Sequence, residues 1–378
     1  MKLKIFSEQK YLLDGMPPDP MLYPWWSNLL RNNHPYPWLG QYDRYIKNAF
    51  CYFDMVSLEE ASFAVMPANW RTIRGDSWRT PVNQRAVDLG IQFAHKAEQA
   101  GKPVVVFFSG DCSDEEIPIK KALVFRQGVY SSKKKQNDFV LPSFCEDLVE
   151  HYLEGQLSVR QKGKKPVVGF CGLVRHNSWK TGLKTWVYQG MMLSKHGRIG
   201  VPPYKGHTLR AKALEILANS SEVNTNFVTR ERLVFLIEGH LDQRLEARFE
   251  FVKNMAESDY ILCCRGSANC STRLYETLCC GRIPVFINTD CILPFDFAID
   301  WKKYCVWVDE KELPRIGEKI AEFHNNLSPQ EFVNLQHECR RLWQELLSPE
   351  GFYTNLYRHF QEGMPERAEN DSKSVSII

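Results

Sequence analysis

Residues 260–301, YILCCRGSANCSTRLYETLCCGRIPVFINTDCILPFDFAIDW, constrain the fold of this chain more than any other stretch. Tyr260 to Cys264 is a short apolar run of the kind that fills a buried strand. Arg265 to Asn269 is polar and small, so the chain is expected to turn there. Ser271 stands where a helix would begin, and its hydroxyl suits the capping position. Leu274, Leu278 and the Cys279–Cys280 pair mark an apolar helical face, and Gly281 suits the positive-φ residue that closes a helix. Pro284 to Ile287 reads as the next strand. Strand, loop, helix, strand is a βαβ unit, which implies an α/β fold with parallel strands.

A helix starting at Ser271 offers unpaired N–H groups and the positive end of its dipole to a phosphate. Arg265 and Arg273 flank that start, and two fixed cations suit a diphosphate. Glu276, about one turn on, places a carboxylate where sugar hydroxyls need an acceptor. The i, i+3 spacing of Arg273 and Glu276 equally suits a plain ion pair on a helix. The stretch contains neither G-x-x-x-x-G-K-[ST] nor G-x-G-x-x-G. That argues against a P-loop NTPase and against an ordinary dinucleotide oxidoreductase.

The blocks Leu262-Cys263-Cys264-Arg265-Gly266, Ser271-Thr272-Arg273-Leu274-Tyr275-Glu276-Thr277-Leu278, Gly281-Arg282-Ile283-Pro284-Val285, Leu293-Pro294-Phe295 and Ile299-Asp300-Trp301 occur in one order. In that order and spacing they resemble the signature of the exostosin-like glycosyltransferases, the GT47 type. Three positions depart from the family pattern: Cys264 stands for the usual Pro, Thr277 for Ala and Arg282 for Cys. The resemblance is strong over the second half and looser over the first, where Glu59–Met66 with Pro67 and Ala122–Arg126 are similar to family strands. It implies a GT-B fold, with two Rossmann-like domains facing across a cleft.

At 378 residues the chain has room for two such domains. We expect residues 1–160 to form the N-terminal, acceptor-binding domain. Residues 161–347 then form the C-terminal, donor-binding domain, opened by the QKGKK linker at 161–165. A helix over 348–360 is expected to cross back to the first domain, and the polar 361–378 tail to be disordered. A formal charge of +3 does not suggest a nucleic-acid surface. The twelve cysteines include no C-x-x-C pair, so a structural zinc site is not expected, and several sit in apolar segments as small hydrophobes. The opening MKLKIFSEQKYLLDG is too polar for a secretory signal, and no run approaches 18 apolar residues. A cytoplasmic enzyme with no integral membrane segment is therefore the expectation, with a homo-oligomer compatible with it.

The resemblance also implies roles. Arg265 and Arg273, with Ser271 and Thr272 at the helix start, would receive the diphosphate of a nucleotide-sugar, most suitably a UDP-sugar. Gly172 and Arg175, in the turn after the Val167–Cys171 strand, would face the same phosphates. Arg210 resembles the arginine that opens the family's next helix, here His207–Leu217. Glu276 would hold the ribose or the donor sugar. Val104–Phe108 is an apolar parallel strand that runs into an acidic loop, and ligands of open α/β sheets sit at such carboxyl ends. Asp111, or else Asp114, would deprotonate the hydroxyl of a saccharide acceptor if the reaction inverts. Asp296 and Asp300 would position donor-side groups. No D-x-D motif occurs in a suitable loop, so the expectation is metal-independent chemistry with no tightly bound cofactor. The alternative keeps the fold and removes catalysis: a pseudoenzyme or glycan-binding subunit of a glycosyltransferase complex.

Overall fold

The computed structural model describes residues 2–29, 40–75, 80–174, 205–231 and 241–362, with a few positions between 183 and 190. Two separate sheets form the two lobes of a GT-B-like α/β fold. The first contains β1 (Leu3–Phe6), β2 (Phe53–Met55), β3 (Phe63–Val65), β4 (Val104–Phe108), β5 (Leu123–Arg126) and β6 (Asp138–Val140), in the order β2-β1-β3-β4-β5-β6. The second contains β7 (Val167–Leu173), β8 (Asn224–Arg230), β9 (Tyr260–Cys263), β10 (Ile283–Asn288) and β11 (Val306–Asp309), in the order β11-β10-β9-β7-β8. Every pairing within both sheets is parallel.

The central strands are those with unbroken apolar sequence. VVVFF of β4 and YILC of β9 are buried at every position, as a strand covered by helices on both faces must be. The edge strand β8, NTNFVTR, carries no such signal, and none of its residues is fully buried. Its seven residues are held by pairing with β7 from Val167↔Asn224 to Leu173↔Arg230. A strand expected at Leu233–Ile237 lies outside the described residues.

The helix expected over 145–157 is only Leu148–Tyr152. Asp147 caps it by accepting from the N–H groups of Val149 and Glu150 at 3.2 Å, and positive φ at Glu154 and Gly155 stops it. Gly281 has the expected positive φ, +61°, just past the Thr272–Cys279 helix.

The chain leaves the first sheet at Val140 and at once lies against the second lobe. Cys279 Sγ accepts from the Leu148 N–H at 3.3 Å, and Arg340 Nη2 pairs with Asp147 at 2.7 Å. The helix Pro349–Thr354 returns to the first sheet, where the Tyr353 ring lies 4.6 Å from Tyr45 and 5.6 Å from Phe107. Burying each such ring contributes on the order of 2 kcal/mol. One continuous apolar core therefore runs through both lobes.

Candidate active site

In the second sheet the chain order reverses between β7 and β9. Crevices beyond the carboxyl ends of strands at such a reversal are where open α/β sheets bind ligands. Here the carboxyl ends of β7 and β9 face that of β4 across a cleft of about 510 Å3. Gly172, Leu173, the 266–271 loop and the first turn of the Thr272–Cys279 helix form one wall. Gly110, Asp111, Arg71 and Gln127 of the first lobe form the other. A larger, more open depression on the outer face of the Leu241–Ala256 helix contains none of the residues singled out from sequence.

The floor of the cleft is an arginine pair built on Phe170. Arg273 lies over that ring at 4.3 Å and donates from Nη2 to the Cys171 carbonyl at 2.7 Å. Gly172 makes this reach possible: its φ is +151°, and a Cβ there would stand 2.8 Å from Arg273 Nη2. Arg210 sits 5.7 Å from the same ring and donates to the Leu173 carbonyl at 2.9 Å. The Nε of each arginine is buried without a hydrogen bond. Neither has a carboxylate within ion-pair distance among the described residues. Burial, reinforced by the Arg273 charge, lowers the Arg210 pKa to about 10. Two half-buried cations with no counterion among the described residues are the electrostatic complement of a polyanion.

Ser271 occupies the N-cap position with φ −133°, but its hydroxyl does not cap the helix. The expectation of a capping serine is therefore corrected. The helix opens with a tight bond from Leu274 N–H to the Ser271 carbonyl at 3.1 Å, and the hydroxyl remains available to a ligand. Ser271 and Thr272 both line the cleft, beside first-turn N–H groups that have no partner inside the helix.

Glu276 does not pair with Arg273. Its Oε1 accepts from Arg248 Nη1 at 2.9 Å, and Arg248 binds Glu146 Oε1 through Nε and Nη2 at 2.9 and 2.8 Å. All three side chains are buried, while Glu276 keeps an edge on the cleft. Burial alone would lower the Arg248 pKa, but Glu276 and Glu146 together drive it well up. Burial raises the pKa of Glu146 against the pull of Arg248. The sequence reading missed Arg248 and Glu146. The available signal was a charged residue set between Ala247 and Phe251 on an otherwise apolar helical face.

Arg265 is placed behind the loop and off the cleft wall. It is 3% exposed, and its donors go to Asn269 Oδ1 at 3.1 Å, Tyr130 Oη at 3.0 Å and the Ser267 carbonyl at 3.0 Å. Arg175 lies outside the described residues. Asp111 is exposed on the first-lobe wall, in a loop shaped by Gly110 (φ +88°), whose N–H donates to Gln127 Oε1 at 2.7 Å. Asp114 is exposed and is not on the cleft wall. Asp296 pairs with Lys134 at 3.4 Å across the lobes, and Asp300 precedes the Trp301–Tyr304 helix; neither lines the cleft. Among the described residues no cluster of three or more His, Cys, Asp or Glu is arranged to hold a metal ion, and no helix is long and apolar enough to cross a membrane.

Residues 202–323 match the model of the Exostosin GT47 domain. That span holds Arg210, the whole 260–301 signature and the arginine pair's second member. Over that span the chain is similar to the exostosin GT47 glycosyltransferases. The chain is 26% identical over 126 residues to Exostosin-1 of Drosophila melanogaster, covering 33% of its own length and 16% of the relative's. It is 42% identical over 66 residues to a probable glucuronosyltransferase of Oryza sativa subsp. japonica, covering 18% and 15%. It is 42% identical over 64 residues to a probable beta-1,4-xylosyltransferase of Arabidopsis thaliana, covering 17% and 15%. The matches thus span about one sixth of the relatives' lengths.

Proposed function

We propose that this chain is a glycosyltransferase of the exostosin GT47 type that transfers a sugar from a nucleotide-sugar, with UDP as the nucleotide, to a hydroxyl of a saccharide acceptor, with inversion and without a metal ion. The observation that carries the reading is the Arg210–Arg273 couple, without a carboxylate partner among the described residues, at the switch point of the second sheet. Negative charge grows on the diphosphate as the glycosidic bond to it breaks, and preorganised donors there lower the barrier. Arg210, Arg273, the Ser271 hydroxyl and the helix start supply them; Gly172 lets the phosphates approach the backbone. Glu276, oriented by Arg248, accepts from ribose or sugar hydroxyls. Asp111, on the facing lobe, takes the proton of the acceptor hydroxyl. Holding both reactants between the lobes supplies the alignment. On this reading residues 1–160 carry the acceptor side and 161–347 the donor side. The twelve free cysteines suit a reducing compartment such as the cytoplasm.

The relatives are named for two different sugars, so kinship does not select the donor. A thermal-shift and calorimetric screen of UDP, GDP, ADP and their sugars, with and without a divalent cation, does. The expected result is metal-independent binding of UDP and of one UDP-sugar. Failure of every nucleotide to bind would overturn the enzyme reading in favour of a glycan-binding or partner-stabilising subunit.

A further inference from the structure

The donor-site loop is not held by its own lobe alone. Its central arginine, Arg265, donates from Nη2 to the hydroxyl of Tyr130 at 3.0 Å, and its guanidinium lies 5.6 Å from that ring. Tyr130 belongs to the first lobe, four residues past β5. Next to this contact the lobes pair by backbone: Ser131 N–H donates to the Asp290 carbonyl at 2.9 Å and Ile292 N–H to the Val129 carbonyl at 3.3 Å. Asn269 Nδ2 donates to the carbonyls of Asp290 at 3.1 Å and Val129 at 3.4 Å. Gly128 packs so closely that a Cβ would stand 3.2 Å from the Asn269 nitrogen. The contact continues into the acidic loop. Gly128 N–H donates to Ser113 Oγ at 2.9 Å, and Arg126 Nη1 donates to the Ser113 carbonyl at 2.9 Å. One unbroken chain of bonds therefore joins the loop that carries Asp111 to the loop that presents Ser271 and Arg273.

We infer that Tyr130 is a positioning residue: through Arg265 it fixes the shape of the 265–271 loop, so that the donor subsite is fully formed only while the acceptor lobe is docked against it. This rests on the donor-site reading above. Arg265 makes its other bonds within the loop, to Gly266, Asn269 and Ser267, so among the described residues the Tyr130 hydroxyl is its hydrogen-bond partner on the opposite lobe. The hydroxyl does not touch the cleft, which separates its role from that of the arginine pair.

Tyr130→Phe removes the hydroxyl and keeps the ring under Arg265. In the full-length chain three quantities are measured: amide exchange over 264–273, UDP affinity by calorimetry, and melting temperature. The expected result is faster exchange confined to 264–273, UDP binding weakened about tenfold, and a melting temperature within about 2 °C of wild type. Arg265→Lys, which also loses bonds within the loop, should weaken UDP binding at least as much, and the double variant should bind UDP no worse than Arg265→Lys alone, because that variant has already lost the Tyr130 bond. Unchanged exchange in Tyr130→Phe overturns the inference. So does unchanged UDP affinity in a wild type that binds UDP, or strictly additive losses in the double variant. If the wild type binds no nucleotide, the donor-site reading fails, and the exchange experiment still decides whether Tyr130 fixes the loop.

Discussion

Replacing Arg210 by Met separates a functional arginine from a structural one by the sign of two effects. Lowering the Arg210 pKa from its ordinary 12.5 to about 10 means that its charge weakens the unliganded fold by about 3 kcal/mol at most. That penalty is fully present below pH 10 and disappears only as the pH rises past both values, so at neutral pH Arg210→Met recovers it. Against this stand the lost bond to the Leu173 carbonyl, about 1.5–3 kcal/mol for a charged donor, and the contact with Phe170, about 0.5–1 kcal/mol. The two sides nearly cancel. For 378 residues the unfolding entropy is about 0.8 kcal/mol per degree, so the unliganded protein should melt within about 3 °C of wild type. Binding behaves differently. One charge-assisted bond to phosphate contributes about 2–3 kcal/mol, so UDP should bind roughly 30- to 160-fold more weakly. Differential scanning fluorimetry with a UDP titration reads both quantities from one preparation. A drop of more than about 5 °C in the unliganded protein, with UDP affinity kept, would refute the reasoning and make Arg210 a structural residue.

Three further outcomes follow from other parts of the site. Glu276→Gln leaves Arg248 paired with Glu146, so stability should fall by only about 1 kcal/mol while turnover at limiting donor falls about tenfold or more; unchanged turnover would remove Glu276 from the donor site. Asp111→Asn should lower kcat about 100-fold or more with UDP affinity within about twofold, whereas near-normal kcat would move the base elsewhere in the acidic loop. His359 sits 4.5 Å from Phe295 and 5.1 Å from Phe125, and burial lowers its pKa to about 4. The unfolded chain therefore binds the extra proton between pH 6.5 and 4, and stability falls as the pH falls through that window. Buried Asp19, raised to about 7 by burial, pushes the other way. The effect must accordingly be read as the difference between wild type and His359→Phe, which should melt progressively higher than wild type from pH 6.5 down to 4; parallel curves would count against it.

What the sequence disclosed was what continuous apolar runs and local motifs encode. The buried strands β4, β9 and β10 announce themselves, and so does the loop-to-helix turn at Ser271. The half-exposed edge strand β8 does not, because its burial is supplied by a neighbour distant in the chain. The same limit applied at the site. Arg273, Gly172, Arg210, Ser271, Thr272, Glu276 and Asp111 do meet in one cleft. The partners that decide their chemistry are 28 residues away for Glu276 with Arg248, 102 for Arg248 with Glu146, and 135 for Arg265 with Tyr130. An i, i+3 spacing suggested an Arg273–Glu276 pair. Folding instead gave each a separate partner, the Cys171 carbonyl and Arg248, and this left Arg273 without a counterion among the described residues.

The three departures from the family pattern follow the same logic. Thr277 Oγ1 donates to the Arg273 carbonyl at 2.6 Å, inside the helix that carries the site, and Cys264 Sγ donates to the Gly206 carbonyl at 3.6 Å. Gly206 opens the Lys205–Ala218 helix, which carries Arg210. Arg282 is fully buried and has no carboxylate within ion-pair distance among the described residues; burial lowers its pKa to about 10. It is held by acceptors: the carbonyls of Met255 at 3.0 Å and Ala256 at 3.2 Å, Gln336 Oε1 at 2.6 Å, and the Ser158 carbonyl. Met255 and Ala256 end the Leu241–Ala256 helix, so the guanidinium meets the negative end of that helix dipole. Arg248 stands on the same helix and holds Glu276. A substitution that looks from the sequence like a disturbance beside the signature thus fastens the helix whose arginine orients the signature's own carboxylate.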